Sequence, residues 1–344
     1  MAERELPIHA TPALVQGRTF IVTGANTGIG YETAKHLASL GAGRIIMAVR
    51  NLDAGGKAKA KIAAELGKGA DDVLAEVWHL DLASFASVRS FAAKAAAELD
   101  RIDGLVENAG VFAGSRDAEA KAEGWNMSTT VNVLSTFLLA GLLLPKMSET
   151  ARKLGFVGGG ADGSSASGQD TRLAPHIVIV GSNWPFHQFR ETWEKVKHDP
   201  LIGLDDEALC PISDVYALSK LIDIQCAREL GARVAPFART GVVINTVCPG
   251  LCMSDLARYQ TQDFQTHIFG VIEQVGRTSE QGSRNLLYAV TAGAGSHGHF
   301  LENAGDADSA VPEFAIESQK DTWDIVAKQL EKIEPGFLQR LTQV

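Results

Sequence analysis

The chain has 344 residues, 45% hydrophobic and 21% charged, the balance of a globular protein with a substantial core. Its formal net charge of −9 leaves no basic surplus to meet phosphate backbones, which argues against nucleic acid as the main partner. Four cysteines (Cys210, Cys226, Cys248, Cys252) include no CxxC pair, which excludes a disulfide scaffold and a zinc pattern and suits a reducing compartment such as the cytoplasm.

The opening MAERELPIHA has two early glutamates and lacks the apolar stretch of a signal peptide. After this arm, residues 19–23 (TFIVT) read as a β-branched strand, GANTGIG follows, and residues 31–40 read as a helix. Strand, glycine-rich turn and helix in that order make a phosphate-binding turn. Gly24, Gly28 and Gly30 would permit the tight turn and the close approach of a pyrophosphate, with Asn26, Thr27 and Ile29 between them. The helix N-terminus would offer its free N–H groups to the anion.

Residues 44–49 (RIIMAV) form the second expected strand, and the position just after it discriminates between cofactors. A carboxylate there suits the ribose 2′-hydroxyl of NAD, whereas an arginine suits a 2′-phosphate. The strand runs into Arg50 and Asn51, with Asp53 arriving only later. A guanidinium suited to bidentate phosphate binding favours NADP(H) over NAD(H).

A helix over 54–66, a strand over 73–80 ending at Asp81-Leu82, and a helix over 83–99 continue the alternation. A fourth strand opens at 104–106 and runs into Glu107-Asn108-Ala109-Gly110. Such alternation predicts an α/β fold, a parallel sheet with helices on both faces. Residues 127–146 read as a helix carrying Asn132, which by pattern alone serves equally as a capping or packing polar group. The greasy run 137–144 is far shorter than the ~20 residues of a membrane span, so a buried core helix and no integral membrane association are expected.

A glycine- and serine-rich loop is expected near 155–172, then a strand over 176–180 ending in Gly181-Ser182. An insertion over 183–212 is rich in aromatics, among them Trp184, Phe186, Phe189 and Trp193. SDVYALSK follows on a helix running to about residue 230. Tyr216 and Lys220, four apart, share one helix face, and an ammonium beside a phenol lowers its pKa. A strand over 242–247 runs into Pro249-Gly250, and a lid-like region over 251–282 follows. His297 and His299 alternate on an expected last strand, but without a third ligand they make no metal site. A closing helix is expected over 321–333, stopped by Pro335-Gly336. No linker divides the chain, so residues 1–344 are expected to form a single domain.

In family order and over nearly the whole chain, TGANTGIG, Asp81-Leu82, ENAG, Asn132, Ser182, YALSK and Pro249-Gly250 resemble the short-chain dehydrogenase/reductase family in its compact single-domain branch. The style of the sequence is similar to fungal reductases and to retinol-dehydrogenase-like and carbonyl-reductase-like members. The resemblance implies a Rossmann-type doubly wound parallel sheet of about seven strands. It further implies that Ser182 hydrogen-bonds the substrate oxygen, Tyr216 exchanges its proton, Lys220 holds the nicotinamide ribose, and Asn132 anchors a water behind Lys220. Asp81 and Leu82 would meet the adenine, Asn108, Ala109 and Gly110 would back the cofactor, and Pro249, Gly250 and Ser254 would flank the nicotinamide.

The expected activity is NADP(H)-dependent interconversion of carbonyl and alcohol on an apolar small molecule, as a ketone reductase in secondary metabolism. The rivals are a dehydratase, epimerase or cyclase on the same scaffold, and a non-catalytic NADP-binding regulator. Glu107 departs from the family's Asn-Asn-Ala-Gly, and a carboxylate at the end of a buried strand needs a partner or a raised pKa. The long Ser182–Tyr216 gap resembles an insertion that covers the oligomerisation face in carbonyl-reductase-like relatives, which favours a monomer over a homodimer.

Overall fold

The computed structural model describes residues 6–69, 72–117, 121–157 and 168–344. The strands are β1 (Thr19–Thr23), β2 (Arg44–Val49), β3 (Ala75–His79), β4 (Gly104–Glu107), β5 (Lys121–Ala122), β6 (Trp125–Asn126), β7 (His176–Val180), β8 (Val243–Cys248), β9 (Phe300–Glu302) and β10 (Gly305–Asp306). Eight of them form one sheet in the order β10-β9-β8-β7-β4-β1-β2-β3, parallel except for the antiparallel β9–β10 pair. The eighth strand beyond the expected seven is thus the two-residue β10. A separate small hairpin joins β5 and β6.

Alternation along the strands decides the layering. Ile21, Ile46, Ile177 and Ile179 enter one hydrophobic cluster, whereas Phe20, Val22, Ile45, Met47 and Val178 enter another. β1, β2 and β7 therefore bury both faces, and a helical layer must cover each face. Short α1 (Pro12–Val15) precedes the sheet, and α2 (Gly28–Ser39) and α3 (Leu52–Glu65) belong to the second cluster. On the first side lie α4 (Phe85–Glu98) and α5 (Thr136–Lys153), the latter entered through a π-helical segment, Thr129–Ser135. Among the described residues one helix, Thr129–Lys153, is long and apolar enough to cross a membrane, and 83% of its most apolar window is buried inside the fold.

The insertion is helical: α6 (Pro185–Gln188), α7 (Arg190–Val196) and α8 (Pro200–Asp205). It delivers the chain to α9 (Ile212–Glu229), which is followed by α10 (Phe237–Thr240). Beyond β8, the region expected to be lid-like holds a 14-residue helix, α11 (Gln262–Val275), before α12 (Ser279–Ala289). The closing helix α13 (Glu313–Ile333) starts earlier than expected, directly after Pro312, which fits a helix start. Pro335-Gly336 ends it, but α14 (Phe337–Thr342) then folds back onto α5. Of the glycine- and serine-rich stretch, residues 158–167 lie outside the described residues. Its described end makes a 3-10 turn, Thr171–Leu173.

In this strand order the connection reverses direction between β1 and β4. The crevice at the C-terminal ends of those strands is where open α/β sheets bind ligands.

Candidate active site

At that crevice, β1 ends at Thr23 and the chain turns through Gly24 (φ +66°) and Gly28 (φ +57°) into α2. A Cβ at Gly30 would stand 2.6 Å from the Gly24 carbonyl oxygen and 2.4 Å from Asn108 Nδ2, so only glycine lets α2 come this close. Asn108 Nδ2 donates to Thr23 O at 2.9 Å, and Ala109 N donates to Thr23 Oγ1 at 2.9 Å, locking the ENAG turn against β1. The Thr27 hydroxyl donates to Asp255 Oδ2 at 2.8 Å instead of capping α2, which leaves the first turn's N–H groups without a side-chain cap.

The crevice is a cleft of about 720 Å³. Its walls include Gly24, Asn26, Thr27, Gly28 and Ile29 of the turn, then Arg50 and Asn51 after β2, and Asp81 and Leu82 after β3. Asn108, Ala109 and Gly110 line it from the end of β4, and Pro249, Gly250 and Ser254 from beyond β8. Ser182, Tyr216 and Lys220 reach the same cleft. Gly30 and Asn132, also expected at the site, stand behind the wall. Asn51 has a second task, since its side chain caps α3 by accepting from Ala54 N at 2.9 Å. Asp81 is braced by Ala83 N donating to Oδ1 at 2.9 Å.

The far end of the cleft carries positive charge. Arg50 Nη2 donates to the Tyr259 hydroxyl at 3.3 Å, and the Arg258 guanidinium lies 4.7 Å from the Tyr259 ring centroid. The hydrogen bond from Arg50 holds the Tyr259 phenol below its ordinary value. A glycine turn that admits no Cβ at Gly30, with guanidiniums further along the crevice, fits a nicotinamide dinucleotide cofactor.

The other end is built from the buried Asn132, Tyr216 and Lys220 and the half-buried Ser182. Asn132 sits on the π-helical segment, fully buried. Its Oδ1 accepts from Val111 N at 2.9 Å, and its Nδ2 donates to Val111 O at 3.0 Å and Ser219 Oγ at 2.9 Å. Asn132 thereby ties the chain after ENAG to α9. Ser182 Oγ accepts from Trp184 N at 3.1 Å. Lys220 Nζ donates to Val180 O and to Asp223 Oδ2, each at 2.9 Å.

The local electrostatics differ from the sequence expectation. Burial pushes the Tyr216 phenol above its ordinary value, with Cys248 and Asp223 adding to the rise, and no lowering by Lys220 offsets it. The physical reason is the burial of the phenol, while the Lys220 ammonium is turned to Val180 O and Asp223 Oδ2.

The Phe112 ring stacks on Tyr216 with centroids 4.8 Å apart, while Trp184 and Phe264 meet Phe112 edge-on at 5.8 and 5.5 Å. The aromatics of the insertion divide in role. Trp184 and His187 line the cleft, whereas Phe189 and Trp193 are buried in the core and Phe186 packs on Phe300 at 5.1 Å. Sequence reasoning missed Phe112, Asp223, Arg258, Tyr259 and Phe264. Adjacency to ENAG could have drawn notice to Phe112, and i,i+3 spacing from Lys220 to Asp223; the lid residues carry no comparable signal. His297 Nδ1 accepts from Ile244 N and its Nε2 donates to Gly231 O, while His299 faces Asp306. Among the described residues no group of three His, Cys, Asp or Glu is placed to hold a metal.

Comparison with known proteins agrees with this fold. Residues 18–157 match the family described as short chain dehydrogenase. The short chain dehydrogenase/reductase dmxR8 of a Cryptosporiopsis species is 36% identical over 326 residues, covering 93% of this chain and 92% of that protein. The short-chain dehydrogenase/reductase phmF of Phaeosphaeria nodorum is 34% identical, with 95% and 92% covered. Among solved structures, a Beutenbergia cavernae protein provisionally described as an NAD(P)-dependent gluconate 5-dehydrogenase, with NADP bound at low occupancy, superposes with a TM-score of 0.57. It is 25% identical and the match covers 84% of this chain and 96% of that one.

Proposed function

The chain belongs to the short-chain dehydrogenase/reductase family, and from that premise we propose that it is an NADP(H)-dependent reductase of ketones on apolar small molecules. The observation that carries this reading is that Ser182, Tyr216 and Lys220 open onto the same cleft as the glycine turn, with Arg50 at its opposite end. A bound nicotinamide cofactor would supply the hydride. The protein's share is position and proton. Ser182 would hydrogen-bond the carbonyl oxygen, and Tyr216, protonated in its buried setting, would give its proton to that oxygen as it becomes a hydroxyl. Lys220 would hold the cofactor ribose, and Asn132 would fix α9 through Ser219.

Phosphate recognition is assigned to Arg50, with Arg258 and Tyr259 closing over it from the lid. The NADP found with the Beutenbergia cavernae protein is in keeping with that assignment. An apolar substrate is favoured by Phe112, Trp184 and Phe264, which wall the cleft beside Tyr216. The fungal origin of the two curated relatives accords with a ketone of secondary metabolism as the substrate. Four buried, unpaired cysteines suit the cytoplasm.

A monomer is the proposed state. α13 covers α9 and α14 covers α5, with Gly141 so close to Phe337 that a Cβ there would stand 2.3 Å from the ring. The insertion adds the bond from Trp193 Nε1 to Ser318 Oγ at 3.0 Å. A light-scattering mass near 36.6 kDa is expected, and one near twice that value would refute it.

The activity is tested by a panel of aldehydes and prochiral ketones, following NADPH and NADH oxidation separately. Reduction of apolar ketones with NADPH preferred is expected. Tight NADPH binding with no carbonyl reduced would reject the reaction, and equal use of NADH would reject the cofactor preference.

A further inference from the structure

β4 ends in Glu107, where its family leads one to expect asparagine. The residue is 2% exposed, and among the described residues no donor meets either Oε1 or Oε2. Asp223, on α9, is fully buried and spends Oδ2 on Lys220 Nζ at 2.9 Å, while its Oδ1 also meets no donor. Glu107 pairs with Ile179 across the β4–β7 ladder, one residue from Val180, whose carbonyl accepts from Lys220 Nζ at 2.9 Å, and the charges of both Asp223 and Lys220 act on Glu107. Three buried acceptor oxygens without a donor thus share the interior with one cation, which is bonded to Asp223 alone of the two acids.

Two ionised carboxylates and one ammonium would leave a net negative charge shut away from water, which is costly. A single added proton neutralises the group. Two carboxyls in one site commonly ionise only once for this reason.

We propose that Glu107 and Asp223 share one proton and one negative charge, and that this pair is the counter-ion that positions the Lys220 ammonium behind Tyr216. The proposal deepens the reading of Tyr216 and Lys220 as the proton-transfer pair and rests on it. Burial raises Glu107 well above the ordinary carboxyl range, with the Asp223 charge adding to the rise, and raises Asp223 to about 6 against the pull of Lys220. At neutral pH the proton accordingly rests on Glu107 and the charge on Asp223. The other titratable groups facing the pair are Tyr216 and Cys226 on α9, and Cys248 on β8, which acts on Tyr216. Burial raises all three above their ordinary values, so they stay uncharged and Lys220 is the cation left to balance the acids. A neutral assembly at this point also leaves Tyr216 as a phenol, the form that donates a proton in carbonyl reduction.

The test uses the full-length chain at neutral pH, comparing wild type, Glu107→Gln, Asp223→Asn and the double variant. Infrared difference spectra in D₂O should show a protonated-carboxyl C=O band in the wild type that disappears in both single variants, because the surviving acid then ionises as the partner of Lys220. Absence of the band in the wild type, or its persistence in either single variant, would overturn the shared proton. This readout needs no turnover, so it stands apart from whether ketones are reduced. Circular dichroism and NADPH binding establish that each variant is folded, and Glu107→Gln keeps the size of the side chain if Asp223→Asn does not fold.

Where a reducible ketone is in hand, each single variant should lose less than about tenfold in kcat/KM and the double variant more than about a hundredfold, beyond the product of the singles. Losses that simply multiply would mean two independent packing roles and would overturn the joint counter-ion.

Discussion

The two ends of one cleft are built on different principles. The cofactor end is mostly backbone: a turn through Gly24 and Gly28, the start of α2, and the ENAG segment hydrogen-bonded to Thr23. Its shape follows from steric demands between residues that are close in sequence or on adjacent strands. The chemical end is assembled from buried side chains on β4, the π-helical segment and α9, with the half-buried Ser182 just past β7. There the deciding quantity is charge balance, one ammonium against two acids, in a place where water does not help. A backbone cradle tolerates little change in size, and a side-chain cluster tolerates little change in charge.

That contrast can be broken most severely at Lys220. Lys220→Met keeps the bulk but removes the cation, leaving Asp223 without its 2.9 Å partner, and turnover should fall roughly 10²–10⁴-fold. Steady-state rates with NADPH check it, and a loss below tenfold would contradict the role given to the ammonium.

Arg50→Asp sharpens the other side. It should weaken NADPH by about 10- to 100-fold, the worth of a charge-assisted hydrogen bond, and NADH far less. Fluorescence titration with both nucleotides reads the difference, and equal losses would remove Arg50 from phosphate recognition.

The smallest effect is expected from Gly30→Ala, whose Cβ would press on the Gly24 carbonyl at 2.6 Å. Overpacking of this kind costs about 1–3 kcal/mol. Urea unfolding measures it, and an unchanged midpoint would show that the turn is looser than its contacts imply.

The same contrast explains what could be read in the sequence. The strands were legible because β-branched runs bounded by glycine carry their own signal, and the cradle because its glycines sit at a strand end. Arg50 was legible by position alone. Tyr216 and Lys220 stood out by their spacing on one helix face, whereas Ser182 and the role of Asn132 came only through resemblance; the fold brings Ser182, Tyr216 and Lys220 to the cleft with Asn132 behind it. Asp223 stood three residues past Lys220 in plain view, yet its meaning depends on burial that no local pattern reports. Glu107 was conspicuous as a departure, but the partner that gives it a role comes from another element. α11 was missed because it buries little: of its residues only Ile272 is buried, and Val275 is 67% exposed.

The central claim, that cofactor binding and proton transfer are separable functions of one cleft, is tested most directly by Tyr216→Phe. Removing one oxygen leaves the ring stacked against Phe112 and every cradle contact intact. In one preparation, turnover with an accepted ketone should fall by roughly 10²–10⁴-fold while the NADPH dissociation constant stays within about threefold of wild type. Retained turnover, or a loss of NADPH binding as large as the loss of rate, would contradict it.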